Sequence, residues 1–378
     1  RGLVAMFWYG AQTYAASTAV ALLITALTGN PGTEMFLGMT GVMWVSFIFV
    51  SAFQVYLFWQ GIDLVRKFLN FAGPAVYVVM IILMIAIWAE VGGSLLSEVG
   101  NIFSSGTRSG GFEGLGSFGA FLAVFSIMVG YFAAVVINFG DFARFVKNEE
   151  EMKKGNLYGL VGNVIFFSFI TLMITGGTIA LFGEYVAQPT DMVAKVDNIF
   201  LTIVAAFAFF AATVGINMVA NFIPPAYDLA NLMPSKINFR TGGLITAGFG
   251  FVIGGMWVAV ITKMGIFPFV NTLGAILAPV FGIMITDYYI IKKQKIDVNA
   301  LFNEGKGKYW YNDGFNLKGM VAWILSGYIA IGSVWPNILP GGLGDFFANL
   351  GGGGGYAWII GASLGAVVHL AISSGSKK

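Results

Sequence analysis

Three short stretches of the chain carry residues able to grip a small flat molecule. Trp8 and Gln12 lie four apart, so on a helix they share a face. An indole stacks on a planar ring, and an amide both donates to and accepts from the ring's edge. The same pair would equally serve as an interfacial aromatic plus a helix–helix hydrogen bond. Asn217 and Asn221 are one helical turn apart on a single face. A buried amide needs partners, and a ligand is one kind of partner. Gly130, Tyr131 and Phe132 set a glycine beside aromatics in an apolar run. That pattern suits a broken helix of the sort that binds substrates at mid-membrane, and close small-residue packing is the plainer account. Asp141 and Arg144 follow three apart. As an exposed ion pair they would contribute little; otherwise Asp141 belongs to a gate or a proton path.

Several other chemistries fall away. The chain has no cysteine and a single histidine, His369, which removes thiolate sites, disulfides and His-rich metal centres. It carries no His-Glu-x-x-His, no Gly-x-Ser-x-Gly and no phosphate loop. The run Gly351 to Gly355 lacks the lysine of a phosphate loop and reads as a flexible external linker. A net charge of +2 gives no footprint for a nucleic-acid partner. The expectation is therefore a protein that is not an enzyme and holds no cofactor or metal.

The elements that hold these residues follow from composition. Apolar types make up 57% of the 378 residues and charged types 10%, and the mean hydropathy is +0.82. Thirty-eight charged side chains, 20 basic and 18 acidic, cannot clothe that much apolar surface in water. The runs are too long and continuous for a porin-type barrel. Ten segments are long enough to span a bilayer: roughly 3–27, 37–59, 74–98, 118–140, 156–183, 198–222, 241–262, 266–291, 319–339 and 356–374. Pro224-Pro225 is expected to end the sixth. With this alternation, only Arg108, Lys195 and Lys263 of the 20 basic residues fall on one side. The crowded side is cytoplasmic by the positive-inside rule, and it holds the C-terminus. Residues 99–117 form a glycine- and serine-rich external loop, 184–197 suit a short interfacial helix, and 292–318 make a charged cytoplasmic connector. The chain opens at Arg1 inside an apolar segment, which suggests a missing N-terminus.

At these residues the chain resembles a known family. Trp8-Tyr9-Gly10-Ala11-Gln12-Thr13 is similar to the W-F-G-x-Q-T run in the third helix of the nucleobase–cation symporters, the hydantoin, allantoin and cytosine permeases. Asn138 to Arg144 resembles the N-x-x-D-F-x-R that ends the sixth helix. Asn221 with Tyr227 to Leu232, Pro234 and Gly242-Gly243 resembles the stretch leaving the eighth. Ala278 to Met284 with Asp287-Tyr288-Tyr289 resembles the end of the tenth. The four lie in the family's order from Arg1 to about Ser326.

The resemblance implies an all-α integral membrane fold of twelve helices, five plus five in an inverted repeat and two more. Ten would be present here. Residues 1–98 would be the remainder of the first repeat, 118–291 the second repeat, and 319–374 the two added helices. The function implied is ion-coupled import of a planar nitrogen heterocycle of nucleobase, hydantoin or allantoin type, by a monomer in the cell membrane among its lipids. Trp8 would stack on the substrate and Gln12 would bond its amide edge. Tyr131 would offer backbone groups, Phe132 would replace a second stacking tryptophan, and Asn221, with Asn217 a turn before it, would read a carbonyl and N–H pair. The sodium-site region falls at Ala212, Gly215 and Ile216, where the family's two hydroxyl residues are replaced by Gly215 and Ile216. Protons thus compete with sodium as the coupling ion. Asp141, Glu90 and Asp287 are the titratable candidates, and Asp141, Asn271 and Leu273 are assigned to gating or a proton path. Two rival readings are an amino-acid or amine transporter of the same superfold, disfavoured by Trp8 and Phe132, and a non-transporting membrane sensor.

Overall fold

The computed structural model describes residues 1–105, 115–144, 146–184, 186, 189–195, 198–301, 303 and 307–374. The core of the expected external loop at 106–114, and part of the connector at 304–306, lie outside the described residues.

The first apolar run is one helix, α1 (Gly2–Thr28), stopped by Gly29 in the left-handed region at φ 67°. A small hairpin, β1 (Glu34–Phe36) and β2 (Met39–Thr40), leads into α2 (Gly41–Gln60). Thr40 caps α2 by accepting from the Met43 N–H. The next helix, α3 (Ile62–Val91), starts well before residue 74. Pro74 sits inside it, and Arg66 and Lys67 lie in its first turns. A 12-residue helix, α4 (Ser94–Ser105), follows.

The fourth segment is broken, as its glycine and aromatics suggest. It divides into α5 (Ser117–Tyr131), α6 (Ala133–Ile137) and α7 (Phe139–Ala143). The breaks fall at Phe132 (φ −87°, ψ 4°) and Asn138 (φ −103°, ψ 31°). Next come α8 (Glu149–Gly155), capped by Asn148, a π-helical stretch at Asn156–Gly162, and α9 (Asn163–Phe182). The polar stretch 184–197 does contain a short helix, α10 (Pro189–Ala194).

The sixth segment corrects one expectation. It runs as α11 (Ile199–Asn217), a π-helical turn at Met218–Phe222, and α12 (Ile223–Leu232). Pro224-Pro225 does not end it. The wide turn resets the hydrogen-bond register, so the prolines fall in the first turn of α12, where a missing N–H costs nothing. Beyond it lie α13 (Phe239–Gly255) and, after a π-helical stretch at Trp257–Ile261, α14 (Thr262–Met264), with a 53° bend between Phe239–Gly255 and Trp257–Met264. The remaining helices are α15 (Ile266–Ile285), extended by a π-helical turn at Thr286–Ile291, α16 (Val298–Leu301), α17 (Leu317–Val334), α18 (Leu343–Leu350) and α19 (Ala357–Ser374). Among the described residues, eight helices are long and apolar enough to cross a membrane, and the bent pair makes a ninth; α5 is a shorter apolar helix.

The chain divides into two compact units. One comprises Arg1–Arg108 and Phe139–Lys263. Within it α1 lies against α2, α11 and α13. Its contact with α13 needs glycine: a Cβ on Gly10 would come 2.7 Å from the Gly250 carbonyl, and one on Gly254 would come 2.7 Å from the Gly10 carbonyl. Tyr9 is buried there, stacked on Phe222 with ring centroids 4.7 Å apart.

The other unit comprises Ser109–Asn138 and Met264–Lys378, with α15 packed on α5, α17 and α19. Backbone meets backbone here too: a Cβ on Gly365 would fall 2.5 Å from the Pro279 carbonyl. The pentaglycine run is not a loose linker. It folds into a tight turn in which Gly353 and Gly354 N–H both donate to Ala348 O, and Gly352, Gly353 and Gly354 all take positive φ. Only glycine enters that region cheaply, so the run is a requirement of the turn.

Candidate substrate site

The polar residues predicted on α1 and α11 meet. Asn221, on the π-helical turn, donates to Gln12 Oε1 at 3.0 Å and to Asn217 Oδ1 at 3.0 Å. Asn217, at the end of α11, donates in turn to the Tyr9 carbonyl (3.1 Å), to Thr13 Oγ1 (3.1 Å) and to Gln54 Oε1 (2.8 Å). Asn217 is fully buried and Asn221 is 5% exposed. Trp8, one turn before Gln12, is buried as well. The π-helical turn is what brings Asn221 round to α1, and such turns concentrate at functional sites.

Gln54 is the member that the sequence reading missed. It comes from α2, is fully buried, and donates to Thr13 Oγ1 at 3.0 Å. Its sequence signal was a lone amide inside an otherwise apolar spanning segment, which must find partners.

In the other unit, Tyr131 ends α5 and Phe132 occupies the break, their rings edge to face at 5.0 Å. Tyr131 is 40% exposed and Phe132 is half-buried. The break is held close to α15, where the Gly130 Cα would lie 3.1 Å from a Cβ on Gly274. Asn271 donates to the Gly354 carbonyl at 3.3 Å, so its amide secures the pentaglycine turn, and Leu273 is buried nearby on α15.

The region predicted for a cation offers little side-chain oxygen. Gly215 faces α3, where a Cβ would come 2.8 Å from Leu69 Cδ2. Ile216 is 55% exposed and Ala212 is half-buried. Asp141 and Arg144 border a cavity of about 240 Å³ with Arg66, Asn70 and Tyr227. The Arg144 guanidinium lies 4.5 Å from the Tyr227 ring centroid. Arg1 pairs with Asp228 at 3.7 Å. Burial holds the Arg1 guanidinium below its usual range, and the charges of Asp228 and Asp141 oppose that shift.

A second polar cluster closes the far end of α15. Asp287 binds Lys292 at 2.5 Å and lies 3.5 Å from His369 Nε2 on α19. Burial alone would lower the Lys292 pKa; the hydrogen bond and charge of Asp287, with Tyr311, outweigh it and raise the value. Glu90 lies on α3 and is exposed.

Membrane-length apolar helices, with a helix broken in mid-span in one unit and, in the other, a buried amide cluster one turn from a buried indole, are the features of a multi-pass membrane permease. The chain belongs to the permease family for cytosine/purines, uracil, thiamine and allantoin, which it matches over residues 1–361. That is a family of permeases and not of enzymes. It is 32% identical to the allantoin permease of Bacillus subtilis, over 90% of this chain and 68% of that protein. It is 27% identical to the purine-uracil permease NCS1 of Arabidopsis thaliana, over 88% of this chain and 54% of the relative. The hydantoin permease of Microbacterium maritypicum is also 27% identical, over 90% of this chain and 65% of that protein. The chain thus spans about half to two thirds of the curated relatives it matches. Its fold is that of Mhp1, a nucleobase-cation-symport-1 family transporter solved in a closed conformation with bromovinylhydantoin bound. The TM-score is 0.68 at 22% identity, covering 99% of this chain and 74% of that one.

Proposed function

We propose that the protein is a secondary active transporter that imports a planar nitrogen heterocycle of the nucleobase, hydantoin or allantoin type. The observation that carries this reading is the Gln12–Asn221 amide pair, joined at 3.0 Å one turn from the buried Trp8. A ureide or imide edge places an N–H beside a C=O, and two neighbouring amides can answer both. An indole offers such a ring a flat apolar face. In the other unit, Tyr131 and Phe132 at the helix break are proposed as substrate-binding residues. The relatives named for allantoin, purine, uracil and hydantoin support this substrate class.

The transport is ion-coupled, and the ion is the proton. Sodium wants several oxygen ligands, whereas Gly215 and Ile216 supply none from their side chains. Asp141, Asn271 and Leu273 are assigned to the gate or proton path. The chain works as a monomer with its C-terminus in the cytoplasm. Uptake of labelled uracil, cytosine, hydantoin and allantoin by cells expressing the full-length protein tests the reading. Saturable uptake of at least one of them, driven by a pH gradient and unchanged when choline replaces sodium, is expected. Uptake of none would refute the substrate class, and strict sodium dependence would refute proton coupling.

A further inference from the structure

We infer that Gln54 is a positioning residue that fixes which way the Asn221–Gln12 pair presents its donor and acceptor to the substrate. The inference rests on the functional reading above and adds a specificity device to it.

The starting point is a group with no choice. The Tyr9 carbonyl can only accept, and it takes hydrogen bonds from Thr13 Oγ1 at 2.7 Å and from Asn217 at 3.1 Å. The Tyr9 carbonyl favours the Asn217 nitrogen on the α1 side, and the shortest of the three contacts to that nitrogen, 2.8 Å, comes from Gln54. Thr13 has one hydrogen and directs it at Tyr9 O, so it can only accept from the two amides that reach it, Gln54 and Asn217. Gln54 turns its nitrogen towards Thr13 and, at 3.5 Å, towards the Val50 carbonyl. That leaves Gln54 Oε1 for Asn217, at 2.8 Å. The Gln54 oxygen, the Thr13 oxygen and the Tyr9 carbonyl thus form a cage of acceptors around the Asn217 nitrogen.

The consequence passes along the chain of amides. With its nitrogen caged, Asn217 can show Asn221 only its oxygen, and Asn221 must donate to it at 3.0 Å. The second hydrogen of Asn221 goes to Gln12 Oε1, also at 3.0 Å. Both hydrogens of Asn221 are then in use, so Asn221 has only Oδ1 to offer a ligand. Gln12 spends one lone pair of its oxygen on Asn221 and is the one of the two amides with hydrogens left to give, on Nε2. The site presents one acceptor on Asn221 and one donor on Gln12, in that order. A substrate must bring an N–H to Asn221 and a C=O to Gln12.

Gln54 is well suited to this role. It is fully buried, so its amide cannot exchange its partners for water, and an unsatisfied amide there is costly. It comes from α2, whereas the pair it orients is on α1 and the turn after α11. Without the Gln54 oxygen, the Asn217 amide keeps two of its three acceptors and holds its orientation less strictly. Asn221 would then be free to reverse, and the order of donor and acceptor would blur.

The test uses the full-length protein in proteoliposomes, with hydantoin and 1,3-dimethylhydantoin as probes, the second lacking both N–H groups. Wild type should bind hydantoin more tightly by about tenfold or more, the factor set by losing one hydrogen bond to a buried acceptor. In Gln54→Met, which keeps the length and loses the amide, that ratio should fall towards one. In Gln54→Glu, whose carboxyl oxygen still accepts from Asn217, the ratio should be restored relative to Gln54→Met. A merely structural role would lower the binding of both probes together and leave the ratio unchanged. If Gln54→Met does not fold, Thr13→Val, near-isosteric and without the hydroxyl that both amides donate to, carries the same expectation of a lowered ratio. An unchanged ratio in a variant that still binds hydantoin overturns the inference and leaves the functional reading standing. Failure of wild type to bind either probe, or uracil or allantoin, removes the functional reading and this inference with it.

Discussion

At the scale of single residues, an amide's donors and acceptors are few enough to count. Asn221 and Gln12 are bonded to each other at 3.0 Å, and Trp8 is buried a turn away. If Trp8 is the stacking platform, Trp8→Ala should weaken heterocycle binding by about 1–3 kcal/mol, the range for base–aromatic stacking. Equilibrium binding to the purified protein measures it, and unchanged affinity in a folded variant takes Trp8 out of the site. That Gln12 and Asn221 each need polar partners was legible because both amides sit in apolar runs at helical spacing from other polar groups. Gln54 was not, because its partners Thr13 and Asn217 lie 41 and 163 residues away and nothing local marks them. Spacing shows which residues share one helix face. It does not show which faces meet.

Helices were legible from composition, and their irregularities only partly so. The break at Phe132 was visible because glycine and aromatics interrupt an apolar run. The π-helical turn at Met218–Phe222 was not, and it is what carries the chain past Pro224-Pro225. A proline pair argues for a helix end only if the hydrogen-bond register is assumed to be constant. The pentaglycine turn was missed for a related reason: its order comes from Ala348 and Asn271, outside the run itself. Glycines set how closely helices approach, so Gly10→Val should push α1 off α13 at the Gly250 carbonyl, 2.7 Å from the new Cβ. The expected loss is about 1–3 kcal/mol, as for overpacking in a dense core, read as a lowered thermal midpoint in detergent. The end of α15 depends on charge instead. Because the folded state raises the Lys292 pKa, its pairing with Asp287 stabilises at neutral pH and is lost as the pH climbs past the ordinary lysine value of 10.5. Lys292→Met should therefore cost about 1 kcal/mol at pH 7. The gap to wild type should close in strongly alkaline buffer, and a gap that persists there would assign the effect to packing.

The whole molecule was the easiest scale to read. Apolar residues at 57% and charged residues at 10% leave no alternative to a membrane protein, and the family match over residues 1–361 agrees. The division into Arg1–Arg108 with Phe139–Lys263, and Ser109–Asn138 with Met264–Lys378, was not legible. It depends on which helices touch, and hydropathy carries no record of that. The central claim is that this molecule carries a planar heterocycle across the bilayer, and carriers have a signature that channels and sensors lack. The most direct measurement is counterflow in proteoliposomes holding the full-length protein, loaded with unlabelled hydantoin or allantoin and diluted into trace labelled substrate, with ion gradients collapsed. A carrier should accumulate label transiently above equilibrium, with the overshoot reduced in Asn221→Leu. No overshoot for hydantoin, allantoin or uracil, in protein shown to be folded and inserted, would contradict the account.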